Sequence, residues 1–344
     1  MNEEDRVLAA LRTDESLSLV TIHQVVNYSK STRTLSRLLD RLVSKGLVEK
    51  SGSFRSTKYR LSTAYGLLHS INVEQYFEQD IDDRTIISTF NHDLLRVDLV
   101  QTSLFTDQEL AQLNQWQAKY HDNVRGLNRE EYLKEVERLA IDLSWKSSQI
   151  EGNTYSLLET ERLLKDKQTA AGKTKDEAVM LLNHKEAIDF IVEYPDYLNT
   201  LSSSRVENIH SLLTRELGIN RNLRRRRVGI TGTNYRPLEN EFQIREAFGE
   251  MCKLVNAKNN VFEKALLALV LISYIQGFVD GNKRTARIIS NGVLIANGYC
   301  PLSFRTVDSI DYKKAMLIFY ERNNLTPFKR IFIEQFGFAV NTYF

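Results

Sequence analysis

The sequence predicts a mainly α-helical fold behind a small mixed N-terminal module, and three observations predict it. Helical periodicity dominates from "REEYLKEVERLAIDLSWKSSQIEGN", which starts at Arg129, to the C-terminus. Only four prolines, Pro195, Pro237, Pro301 and Pro327, occur in 344 residues, as packed helices with few breaks require. "FEKALLALVLISYI", ending at Ile275, is apolar around most of its circumference and so should be a central buried helix. At 42% hydrophobic and 26% charged residues, the chain is long enough for two or three domains with a sizeable core.

The first sixty or so residues read as helix, helix, helix, hairpin. "EEDRVLAALR" and "TIHQVVNYS" are short amphipathic helices. "STRTLSRLLDRLVSKG" is a third, capped by Ser31 or Thr32, with Leu35, Leu38, Leu39, Leu42 and Val43 on one stripe and Gly46 as its stop. "LVEK" and "TKYRLS", joined across "SGSFRS", make a hairpin. This order resembles a winged helix-turn-helix, whose third helix enters the DNA major groove. From Lys30 to Arg60 nine bases (Lys30, Arg33, Arg37, Arg41, Lys45, Lys50, Arg55, Lys58, Arg60) face only Asp40 and Glu49, and Arg33, Arg37 and Arg41 recur at helical spacing. Such a stripe suits phosphates, so DNA is a candidate partner. Winged helices also serve as docking or dimerisation modules, and an arginine stripe is often only a solvated face; a homodimer stays open. The expected domains are residues 1–65, a winged helix-turn-helix; 66–121, a helical linker region with the acidic patch "EQYFEQDIDD"; and 122–344, the helical domain.

Composition excludes several classes. The apolar run Ala265 to Ile272 is far shorter than the roughly 18 residues of a membrane span, and the acidic, amphipathic N-terminus reads unlike a signal peptide. No membrane association is expected, and the cytoplasm is the expected compartment. Cys252 and Cys300 form no close pair, and the histidines show no ligand spacing, so neither zinc nor a disulfide framework is expected. The formal net charge of +2 says little by itself.

The stretch "QGFVDGNKRTAR", Gln276 to Arg287, follows the apolar helix. Gly277 breaks that helix, "FVDGN" forms a loop, and "KRTARIISNGVLIANG" restarts a helix that ends at Gly298. A glycine-containing loop feeding a helix N-terminus offers unpaired N–H groups and the positive end of the macrodipole to a phosphate chain. Arg284 and Arg287 on the first turn can add bidentate contacts, and Asp280 is the loop carboxylate that a Mg2+ bridging phosphates would want. "RRVGITGTNYRP" is the exception to helical periodicity and reads as a hairpin turning at Thr231 to Asn234. The preceding run, Arg224 to Arg227, reads as a solvated face, or else as favouring an acidic target segment.

"QGFVDGNKRTAR" resembles the Fic signature H-P-F-x-D/E-G-N-G/K-R-x-x-R, and "SSQIEGN", Ser147 to Asn153, resembles the inhibitory motif S/T-x-x-x-E-G/N of the same family. "YSLLETERLL", "LLNHKEAIDFI", "IHSLLTREL" and "VGITGTNY" follow the family order, so the resemblance covers about Asp122 to the C-terminus. It implies an all-α Fic fold with a small β-hairpin flap, and a protein nucleotidyltransferase that moves AMP from ATP, with Mg2+, to a Ser, Thr or Tyr hydroxyl of a target protein. By position it implies that Phe278 anchors the loop, Asp280 holds Mg2+, and Gly281, Asn282 and Lys283 line the phosphates. Arg284 would bind the β and γ phosphates, and Arg287 the γ-phosphate when the site is open or Glu151 when it is shut. Val228, Ile230, Gly232 and Tyr235 would belong to the flap that aligns a target segment by strand addition. Ser147 and Glu151, four apart on one helical face, can reach loop and arginine together.

Two positions depart from the signature. Gln276 stands where the family has its catalytic His, and an amide cannot take a proton near neutral pH; loss of a positioned base costs ~10²- to 10⁴-fold in rate. His184 or His210 could substitute only if the fold brought one close. Gly277 replaces a proline, a change expected to loosen the turn, and Lys283 is similar to the Doc toxins, which transfer a phosphoryl group with the nucleotide reversed. Impaired nucleotidyl transfer, a nucleotide-binding pseudoenzyme that regulates through DNA or a partner, and Doc-like phosphotransfer are therefore the three readings.

Overall fold

A computed structural model describes residues 3–11, 16–95 and 98–344. The side chain of Arg55, one of the nine bases, and Arg12 of the first expected helix lie outside the described residues. Two compact units emerge, each described by itself. One comprises residues 1–94 with 230–235 and 317–327; the other comprises 95–229, 236–316 and 328–344.

The N-terminal unit begins with α1 (Glu3–Ala10), β1 (Leu17–Ser18), α2 (Leu19–Val25), α3 (Thr32–Ser44), β2 (Val48–Ser51) and β3 (Lys58–Leu61). The strands form one antiparallel sheet in the order β1-β3-β2, with Leu17 opposite Tyr59 and Val48 opposite Leu61. Ser31 caps α3 by accepting from the Thr34 N–H, and Gly46, at φ 69°, ends it. Leu35, Leu38, Leu39 and Leu42 face Val7, Ile22, Val48 and Tyr59 in a shared core. The two-residue β1 was not expected, being too short to show alternation.

After α4 (Thr63–Leu68) and α5 (Val73–Phe77), the acidic stretch is tied to distant parts of the same unit. The buried Glu321 carboxylate accepts from the Tyr76 hydroxyl at 2.7 Å and from Arg84 Nη1 at 3.3 Å. Arg84 Nη1 also lies 3.3 Å from the Gly232 carbonyl, and Asn234 Nδ2 donates to Asp82 at 2.9 Å. The reversal expected near 228–235 is present as a turn at Thr231–Gly232, whereas the antiparallel sheet of the described residues is the N-terminal one. Side chains of the acidic stretch hold this turn where a strand ladder was expected, and Tyr235 is buried against Tyr320, with rings 5.5 Å apart.

The other unit is helical: α6 (Asp98–Gln101), α7 (Asp107–Arg125), α8 (Arg129–Ile150), α9 (Leu157–Asp166), α10 (Lys175–Glu193), α11 (Ser203–Leu213), α12 (Glu241–Ala257), α13 (Val261–Ile275) and α14 (Asn282–Ala296), then parts of α15 (Ser309–Arg322) and α16 (Thr326–Thr342). α7 to α10 each open with a capping box, Thr106/Glu109, Asn128/Glu131, Ser156/Glu159 and Thr174/Glu177. α13 is buried from Phe262 to Ile275 except at Lys264, as its all-round apolarity requires, and packs on α12 and α14. α10 in turn packs on α8, α11 and α14. The buried Lys258–Glu263 pair, at 2.9 Å, receives the Leu104 N–H on the Glu263 carboxylate and fastens the approach to α7. Cys252 and Cys300 are buried free thiols. Among the described residues no helix is long and apolar enough to cross a membrane, and no metal-binding cluster of His, Cys, Asp or Glu occurs.

Candidate functional site

The α13–α14 connection is built by its own side chains. α13 ends one residue earlier than Gly277: Gln276 adopts φ 51°, ψ 51°, a left-handed C-cap. Phe278 is fully buried, stacked on His210 with ring centroids 3.6 Å apart. Asn282 accepts the Phe278 N–H at 2.9 Å and donates to the Phe278 carbonyl at 2.8 Å and to Gln276 Oε1 at 3.1 Å. Asn282 therefore braces the loop with its side chain, and what it offers a ligand is its main chain. Gly281, at φ 82°, precedes α14 without any side-chain cap, so the first N–H groups of that helix remain available.

His210 Nε2 donates to the Asp280 carbonyl at 2.9 Å, and burial pushes the imidazole pKa down to about 4. His184 is fully buried on α10, 2.7 Å from the Ser147 hydroxyl, its pKa driven well below the ordinary value by burial and by Arg287 and Arg284. Burial favours the neutral form of both rings, and each is committed to packing and hydrogen bonds within the fold. Gln276 itself is buried, its Nε2 donating to the Ser273 carbonyl at 2.8 Å. Gly277 does not loosen the turn as expected. A Cβ there would lie 2.2 Å from Phe248 Cε2, so an aromatic ring occupies the space a proline would need.

Arg284 and Arg287 are both buried on the first turns of α14. Arg284 Nη2 lies 3.1 Å from Asp280 Oδ2, while its Nε and Nη1 are buried without a partner; burial pulls its pKa below the usual guanidinium range. A desolvated guanidinium with idle donors is costly unless an anion arrives. Asp280 is mostly exposed, with Oδ1 accepting the Gly281 N–H at 2.6 Å.

The end of α8 meets this turn. Arg287 Nε donates to the Ser147 hydroxyl at 2.8 Å, Nη2 to the Ser147 carbonyl at 3.1 Å and to Glu151 Oε1 at 2.7 Å. Lys283 Nζ takes the other Glu151 oxygen at 3.3 Å. Burial pushes the Glu151 pKa up, but the charges of Arg287 and Lys283 outweigh it and bring it down to about 2. The Tyr312 ring lies 5.1 Å from the Arg287 guanidinium carbon. Ser147 and Glu151, related above by spacing, and Arg287, brought to Glu151 by the resemblance, thus form one cluster, which Lys283 joins.

Within the expected flap, Val228 and Ile230 are half-buried and Gly232 is exposed at φ 90°. The arginine run divides. Arg225 and Arg227 are exposed and paired with Glu241 and Glu239, but Arg224 is buried. The solvated reading is corrected there: Arg224 donates to the Gln276, Arg226 and Leu238 carbonyls at 2.5, 2.8 and 2.5 Å. On α3, Arg33, Arg37 and Arg41 are exposed, and Arg41 lies 3.5 Å from Glu4.

A family model described as the Fic/DOC family matches residues 200–294. The protein adenylyltransferase Fic of Nematostella vectensis is 28% identical over 181 residues, 49% of this chain and 40% of its own length, so the match spans about two fifths of that relative. Among solved structures, a fragment of Fic-1 from C. elegans superposes with a TM-score of 0.58 at 20% identity, covering 69% of this chain and 72% of that one. A Fic domain containing signaling protein from Bacteroides thetaiotaomicron gives 0.57 at 18%, covering 67% and 94%. A Fic family protein from Desulfovibrio desulfuricans gives 0.56 at 17%, covering 69% and 74%. These likenesses establish the fold.

Proposed function

We propose that this chain, which carries a Fic/DOC family domain over residues 200–294, is a protein adenylyltransferase of the Fic type held shut by Glu151 and impaired by Gln276. The observation that carries the reading is the pair of buried guanidinium groups on α14, Arg284 with two idle nitrogens and Arg287 neutralised by Glu151. A buried cation pair beside an uncapped helix N-terminus is built for a polyphosphate. ATP fits it: its phosphates would take the N–H groups of Asn282 and Lys283 at the start of α14 and the free donors of Arg284, and Arg287 once Glu151 withdraws. The single exposed carboxylate, Asp280, suits a Mg2+ held mainly through those phosphates. The ion would supply charge neutralisation on the phosphates.

Positioning and charge stabilisation dominate this class of transfer, and the residues for both are present. Proton abstraction is what the site lacks. Gln276 has no basicity, and its amide is engaged by Ser273 and Asn282. That engagement favours a second reading, a nucleotide-binding pseudoenzyme whose winged helix-turn-helix, through exposed Arg33 and Arg37, contacts DNA.

ATP labelled at the α or the γ phosphate, given to E151G protein with Gln276 and to E151G/Q276H, separates the readings. Protein-bound α label on both forms, roughly 10²-fold or more faster with His, supports the adenylyltransferase. Label on the His form alone selects the pseudoenzyme, and γ label on protein selects Doc-like phosphotransfer. No label and no ATP affinity in either form sinks the nucleotide site.

A further inference from the structure

We infer that Arg224 is a positioning residue that sets the direction of the side chain at position 276 and fixes the feet of the flap relative to it; the inference rests on the proposed transferase reading for its functional half. The Arg224 side chain is 2% exposed and spends its donors on backbone carbonyls. Nε reaches Gln276 at 2.5 Å, Nη2 reaches Leu238 at 2.5 Å, and Nη1 reaches Arg226 at 2.8 Å. Its own N–H donates to the Gly277 carbonyl at 3.0 Å.

These contacts answer two separate needs. The carbonyls at the end of a helix have no partner inside it, and the negative end of the macrodipole favours a cation. Arg224 meets both at the end of α13, where residue 276 is held in the left-handed region. Residues 226 and 238 bracket the flap segment, and the same guanidinium binds both of their carbonyls. One planar group thus joins the two ends of that segment to the carbonyl of the residue that occupies the family base position. A lysine could not replace it, since a single ammonium cannot present three donors in the fixed directions of the fork. These bonds fall on the residue at the base position and on the feet of the flap, so it acts on alignment of the acceptor and leaves nucleotide affinity alone.

The test uses R224K and R224Q, each placed in full-length E151G/Q276H protein. Self-labelling from α-labelled ATP should fall tenfold or more in kcat, with the KM for ATP and the calorimetric ATP affinity changed less than twofold, and R224K should not rescue. Hydrogen exchange should accelerate together in peptides 225–240 and 274–281, while the middle of α12 and the second half of α14 keep their protection. Acceleration in neither or only one of those peptides, or a parallel loss of ATP affinity, overturns the inference. Should R224Q fail to fold, R224K decides. If the parent itself takes up no label, the transferase reading has failed, and the paired exchange result alone decides the role of Arg224.

Discussion

His210 shows how a single residue sets the acid limit of the loop. Its ring is buried against Phe278, and that burial disfavours the charged form although its Nε2–H holds the Asp280 carbonyl. With the folded pKa near 4 against an ordinary 6.5, the unfolded chain binds more protons between those values. Stability therefore rises with pH across that window and is lost as pH falls from 6.5 toward 4. At about 1.4 kcal/mol per unit the loss approaches about 3 kcal/mol. Denaturant unfolding at a series of pH values should show this slope in the native protein and a shallower one in H210Q; equal slopes would remove His210 as the cause. The sequence could place this histidine on a helix but not beneath the loop, because its partners lie about seventy positions away. Glu151 was legible for the opposite reason. Ser147, which binds the same Arg287, is four residues off at the end of the same helix, and the resemblance supplied Arg287. Arg224 was hidden by its neighbours, since a run of four arginines carries no periodicity to mark the one that is buried.

At the scale of elements, the turn at Thr231–Gly232 is held by a segment that reads in sequence as linker. Tyr76 and Arg84 converge on the buried Glu321, and Arg84 also reaches the Gly232 carbonyl. Burial and the bond to Glu321 push the Tyr76 phenol pKa up, so the phenol stays a donor throughout the working range. R84A leaves the carboxylate with one donor fewer and should cost about 3 kcal/mol, with exchange at residues 230–235 at least tenfold faster. Y76F, which removes one hydrogen bond, should cost about 1 kcal/mol. Exchange at 230–235 that ignores R84A would show that Arg84 does not hold the turn. A strand ladder was expected here because Val228 and Ile230 alternate with small residues; alternation records which faces are buried, not which backbone partner lies alongside. The helices were more legible, since capping boxes and all-round apolarity are local signals, whereas a two-residue strand such as β1 has no room for a pattern.

At the scale of the whole molecule, part of the basic charge of the N-terminal unit is already paired. Four of the nine bases counted from Lys30 to Arg60 meet acids outside that window. Lys30 pairs with Glu3, Arg41 and Lys45 with Glu4, and Arg60 with Asp93 as well as Glu49. Exposed pairs of this kind are worth little to stability, but they lower the field a phosphate backbone would feel. Arg33 and Arg37 are exposed and belong to no ion pair among the described residues. If α3 meets DNA, R33A/R37A should flatten the slope of log affinity against log salt by about 2, one for each phosphate that is no longer neutralised. Anisotropy of a labelled duplex across a salt series measures it. An unchanged slope, or no affinity at about 50 mM salt, would leave the N-terminal unit as a protein-docking module.

Phe248 limits what the loop can accept beside Gln276. Its ring fills the volume into which any side chain at position 277 would project. A proline at 277 meets this ring and would require Phe248 to be cut down in the same step. Because each change alone is unfavourable, either a cavity or a clash, the two positions form a ratchet. Placing the proline of the signature at position 277 therefore takes coordinated changes at 248 and 277.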